Sequence, residues 1–93
     1  MSRLRVESIT KYGGAVIYVN NKRKYYSNIV NVENLGRGRF LVYRSNHREP
    51  FSIEGGKDAG GARTDWFLDG PGLPGTGIRA NSLVDAMNLI DEL

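Results

Sequence analysis

The chain has 93 residues, 40% of them apolar, and a formal net charge of +3, which fits one domain, residues 1–93, with a modest core. It contains no cysteine, which excludes a disulfide framework, thiolate metal ligands and cysteine nucleophiles, and favours a reducing compartment, the cytoplasm. No apolar run opens the chain, where Met1-Ser2-Arg3-Leu4-Arg5 already alternates, so neither a signal peptide nor a membrane span is expected.

Leu4 and Val6 alternate with Arg3, Arg5 and Glu7, the period of a half-buried strand. A turn follows at Tyr12-Gly13-Gly14, and Ala15 to Val19 is a β-branched run that fits a central strand. Asn20-Asn21 tolerate positive φ, and between two strands they spell a tight hairpin. The next strand carries Tyr25, Tyr26, Ile29, Val30 and Val32, with a slip in alternation at Ser27-Asn28 that reads as a bulge. Gly36-Arg37-Gly38 makes a turn into a strand at Phe40 to Tyr43. Pro50-Phe51-Ser52-Ile53 reads as a short edge strand, where proline is tolerated.

Gly55 to Gly61 is a flexible loop by composition, Arg63 to Leu68 returns to strand character, and Asp69 to Gly77 is a second glycine- and proline-rich loop. Ile78-Arg79-Ala80 adds a last short strand. Ser82 is a helix N-cap, with Asp85 three residues on as the acid of a capping box. Leu83, Ala86, Met87, Ile90 and Leu93 then form one apolar stripe. Asp91 and Glu92 lie where the helix dipole disfavours acids, which predicts a basic neighbour from the sheet. The expected fold is α+β: an antiparallel sheet of four to six strands with one C-terminal helix packed on one face.

Charge is divided unevenly. Met1 to Arg48 holds ten basic and two acidic residues, a net of +8, and Glu49 to Leu93 holds three and eight, a net of −5. The basic peak is Lys22-Arg23-Lys24-Tyr25-Tyr26, a hairpin arm able to neutralise phosphates and stack bases. Arg37 and Arg39 extend it if they share its surface. The same lysines also fit a solvated hairpin that discourages edge pairing. Trp66 and Phe67 are adjacent, so in a strand they face opposite ways. Trp66 fits the core, and becomes an interface anchor if it is the exposed one.

Catalytic patterns are not found. Gly72-Leu73-Pro74-Gly75-Thr76-Gly77 opens like a phosphate-binding loop, but Ile78 and Arg79 stand where the motif needs Lys and Ser/Thr. His47 is the sole histidine, and a solvated turn position accounts for it. Asp65 and Asp69 lie about 13 Å apart along a strand, too far for a carboxylate pair. An enzyme would need a pocket gathering Asp65, Asp69, His47 or a tyrosine. The expectation is a protein without enzymatic activity, cofactor or metal.

Trp66-Phe67, the Gly72 to Gly77 segment, and Ala86-Met87-Asn88 with Ile90 together resemble the C-terminal part of a family of small phage-encoded type I-F anti-CRISPRs. The resemblance covers about a quarter of the chain, with gaps. It implies an antiparallel sheet with helices, and binding to the backbone subunit of a surveillance complex that blocks target hybridisation. In that family the Trp-Phe pair ends a helix, whereas here Gly60-Gly61 precede it and the composition favours a strand. The layout, closed by Ser82-Leu83-Val84-Asp85-Ala86, is also similar to small bacteriophage proteins and to the sheet-plus-helix DNA-binding domains of phage integrases.

The expected function is that of a phage or mobile-element accessory factor that occludes a host macromolecule, a protein first. Nucleic-acid binding through the basic hairpin is the alternative, and a homodimer stays open. The candidate contact residues are Lys22, Arg23, Lys24, Tyr25, Arg37, Arg39 and Trp66. The nucleic-acid alternative requires the five basic ones to form one exposed patch.

Overall fold

The computed structural model describes residues 4–11, 13–55 and 65–93. These form β1 (Leu4–Ile9), β2 (Ala15–Val19), β3 (Lys22–Tyr26), β4 (Ile29–Gly36), β5 (Arg39–Arg44), β6 (Phe51–Gly55), β7 (Trp66–Asp69), β8 (Ile78–Ala80) and α1 (Leu83–Glu92). The strands make two antiparallel sheets, β1-β2-β3 and β4-β5-β6-β7-β8, in sequence order. The fold is therefore α+β as expected, with eight strands shared between two sheets. Ten residues of helix do not cross a membrane, and among the described residues no helix is long and apolar enough to do so.

The division into two sheets arises at Ser27-Asn28, where the sequence suggested a bulge within one strand. The chain leaves β3 there and enters β4 in the other sheet. Asn28 is held by the end of the helix: its backbone N–H donates to Asp91 Oδ1 at 2.9 Å and its side-chain amide to Asp91 O at 2.8 Å. Ser45 N–H donates to Asn28 O at 2.8 Å. Three bonds thus fix a break that strand propensity alone would have bridged.

Pro50 likewise had suggested an edge strand. Instead it stands just before β6, which is the middle strand of the larger sheet. Outside the ladder the missing N–H costs no hydrogen bond, and Phe51 and Ile53 go fully into the core.

Asn20 and Asn21 adopt φ of 51° and 73°, the left-handed pair of a two-residue hairpin whose twist suits the flanking strands. Gly14 has φ +85°, and a Cβ there would stand 2.4 Å from Tyr26 O, so only glycine lets β2 begin this close to the end of β3. The expected loop at Gly55 to Gly61 and the strand start at Arg63-Thr64 lie outside the described residues apart from Gly55, as does Tyr12 of the first turn.

One buried cluster joins everything. It contains Leu4, Ala15, Ile17, Val19 and Tyr26 from the smaller sheet, Ile29, Phe40, Val42, Phe51, Ile53, Trp66, Leu68 and Ala80 from the larger, and Leu83, Ala86, Met87 and Ile90 from α1. The helix packs against β7 and β8. Its stripe is as expected except for Leu93, the C-cap residue, which is 49% exposed. Ser82 Oγ accepts from Asp85 N–H at 3.0 Å, the N-cap bond the sequence foretold. The expected basic neighbour at the other end is Arg44. It donates to Ile90 O at 2.9 Å and to Leu93 O, so it satisfies helix carbonyls rather than the carboxylates.

Candidate binding surface

Residues directly opposite in an antiparallel pair share a face. The β2–β3 register pairs Val19 with Lys22, Tyr18 with Arg23, Ile17 with Lys24, Val16 with Tyr25 and Ala15 with Tyr26. Ala15, Ile17 and Val19 are buried, so Lys22 and Lys24 project from the core-facing side, at the rim. There Lys24 Nζ donates to Asn88 Oδ1 on α1 and lies 5.3 Å from the Tyr26 ring centroid. Arg23 and Tyr25 project from the opposite, outer side.

On that outer face β1 adds Arg5 opposite Tyr18 and Ser8 opposite Val16. The Arg5 guanidinium carbon lies 4.4 Å from the Tyr18 ring centroid, a cation–π contact. Glu7 occupies the irregularity between Val6 and Ser8. Its carboxylate accepts from Arg23 Nε at 2.6 Å and from the Tyr18 hydroxyl at 3.4 Å. The Arg23 hydrogen bond, ahead of the Tyr18 bond and the Arg5 charge, holds the Glu7 carboxyl below its ordinary range, and the same bond raises Arg23. Tyr25 donates its hydroxyl to Gly13 O at 3.3 Å, yet 53% of the residue is exposed. Arg5, Tyr18, Arg23 and Tyr25 thus form a pinned aromatic and cationic surface with one carboxylate inside it.

The other candidate residues are placed elsewhere. Arg37, with φ 56°, sits at the tip between β4 and β5, and Arg39 starts β5 opposite Glu54. All five basic candidates are exposed, but the pleat divides Lys22 and Lys24 from Arg23, and Arg37 and Arg39 belong to the other sheet. Trp66 is the clearest correction as a contact residue. It is 0% exposed, and its ring centroid lies 6.3 Å from that of Phe40. Phe67, on the opposite face of β7, is 43% exposed with Arg79 5.1 Å from its ring centroid.

The remaining motifs have structural accounts. Gly72 to Gly77 closes the antiparallel β7–β8 pair through two turns, Leu73 N–H to Gly70 O at 3.1 Å and Gly77 N–H to Pro74 O at 2.8 Å. A phosphate-binding loop instead leads from a strand directly into a helix. His47 is half-buried rather than solvated: its ring centroid lies 5.4 Å from that of Phe51, and Nδ1 is 3.1 Å from Ser45 O. Asp69 accepts from Gly70 N–H at 2.8 Å. Among the described residues no group of three or more His, Asp or Glu side chains is placed to hold a metal ion.

The sequence pointed to Lys22 through Tyr25 but missed Arg5, Glu7 and Tyr18. The hairpin signal at Asn20-Asn21 implies the Tyr18–Arg23 pairing, because a two-residue turn fixes register. Nothing local signals the β1 register or its bulge. The chain matches no protein-family model, and no curated protein and no solved structure is significantly similar to it.

Proposed function

We propose that the chain is a non-enzymatic binding protein that docks a protein partner on the outer face of β1-β2-β3 and occludes it. The observation that carries this reading is the Tyr25 ring, 53% exposed, on the same face as Arg23 and the Arg5–Tyr18 stack. Tyr and Arg are the side chains enriched at the energetic centres of protein interfaces. Here they are tethered in advance, Tyr18 between Arg5 and Glu7 and Tyr25 to Gly13, so docking costs less side-chain entropy.

The ion pairing on this face supports protein over nucleic acid as the partner. Glu7 neutralises Arg23, whereas a phosphate-binding surface keeps its cations available. A phage or mobile-element setting, with a host protein met in the bacterial cytoplasm, belongs to the same proposal and rests on the sequence resemblance.

The test is affinity capture from nuclease-treated bacterial lysate with tagged protein, beside an Arg23→Glu/Tyr25→Ala variant. The expected result is a protein partner that survives nuclease and is lost with the variant. Recovery of nucleic acid alone, or of the same proteins by both, contradicts the reading.

A further inference from the structure

We infer that the open edge of β3 accepts an acidic, extended segment of the partner as a fourth strand of the smaller sheet. This rests on the reading above that the partner is a protein, and it names the element that the partner contributes.

The two sheets have four edge strands, and they differ. β1 is interrupted by a bulge and lies against β4. β4 carries two irregularities, between Ile29 and Asn31 and between Asn34 and Gly36. β8 has three residues. β3 has five residues in unbroken register with β2. It is the longest unbroken ladder among the four, and a regular ladder is what an added strand needs.

The hairpin decides which backbone groups are offered. In a two-residue turn the flanking pair, here Val19 and Lys22, exchanges hydrogen bonds, and bonding then alternates along the strands. Lys22, Lys24 and Tyr26 therefore point their N–H and C=O groups at β2. Those of Arg23 and Tyr25 point away from the sheet. No backbone group of the described residues pairs with them. They are the two donors and two acceptors of a strand-addition site.

Side-chain charge selects the occupant. Lys22, Arg23 and Lys24 stand in sequence on this edge. Arg23 has Glu7, Lys24 is bonded to the neutral Asn88, and Lys22 has no ion-pair partner among the described residues. A second copy of β3 would set like charges opposite one another, which destabilises pairing. An acidic strand reverses the sign of that term. Its side chains on one face would meet Lys22 and Lys24, and those on the other would lie beside Arg23 and Tyr25.

The probe is an end-blocked octapeptide alternating glutamate and valine, titrated into the isotopically labelled full chain and followed by amide hydrogen exchange. The Arg23 and Tyr25 amides should exchange at least tenfold more slowly, with binding weakened by salt. A lysine-for-glutamate peptide, and one N-methylated at every backbone nitrogen so that neither edge pairs fully, should each bind at least tenfold more weakly. An Arg23→Pro variant, which leaves the β2 ladder intact, should bind less than Arg23→Ala. The peptide controls hold whether or not the proline variant folds. No protection at Arg23 and Tyr25 at millimolar peptide, or equal binding of the N-methylated peptide, overturns the inference. A partner captured through the outer face without edge protection overturns the edge alone. Failure of capture overturns the outer-face reading whatever the peptide does.

Discussion

Strands β3 and β7 both carry adjacent aromatic residues, Tyr25-Tyr26 and Trp66-Phe67, yet they serve the molecule differently. β7 has a neighbour on each side and α1 against it, and its four residues alternate buried and exposed without exception. β3 has one neighbour and buries a single residue of five, Tyr26. The strand enclosed on both edges holds the fold, and the strand open on one edge is the one proposed to meet a partner. Aromatic content alone does not separate these roles, but position within the sheet does.

The largest test of that contrast is Trp66→Ala, which should cost about 3–5 kcal/mol by emptying the core beside Phe40. Tyr25→Ala should change stability by less than about 0.5 kcal/mol. Urea unfolding of the two variants checks both, and similar losses would break the comparison. Arg44→Ala comes next, at about 2 kcal/mol, because it removes charge-assisted bonds to Ile90 O and Leu93 O. Its helix should fray from the C-terminus, visible as faster amide exchange there.

Tyr26 ranks third. It is 1% exposed, its hydroxyl has no hydrogen-bond partner among the described residues, and burial, then the Asp91 charge, pushes its pKa up to about 12. The folded state resists ionisation that the unfolded chain undergoes near 10.0. Its contribution is therefore complete below pH 10 and is lost as pH rises towards 12, by about 2 kcal/mol. Tyr26→Phe should remove that alkaline decline and cost nothing at pH 8, as urea midpoints at pH 8 and 11 will report. The smallest effect is Arg37→Gly, which should stabilise by about 0.5–1 kcal/mol by relieving φ 56° at the β4–β5 tip, read as a rise in the thermal midpoint.

Much of this architecture is legible in the sequence wherever one residue fixes local geometry. Asn20-Asn21 mark their hairpin, and Ser82 with Leu83, Ala86, Met87 and Ile90 marks the helix and its buried face. The division into two sheets was not legible, because the bonds that make it join Asn28 to Asp91, 63 residues away. Nor was the central place of β6, since Pro50 signals an edge only when it lies inside the ladder. At the proposed binding surface, the basic run was visible but its division between faces was not. The run KRKYY has no apolar alternation to reveal which residues face the core. Arg5 and Glu7 enter the surface through a register and a bulge set by tertiary pairing.

The most direct test is the affinity of Tyr25→Ala for the captured partner, measured by titration calorimetry beside its urea unfolding. The expected result is an affinity at least tenfold weaker, about 1.4 kcal/mol or more, with the unfolding midpoint unchanged. Unchanged affinity, or a loss that follows a fall in stability, would contradict the assignment of binding to the outer face of β1-β2-β3.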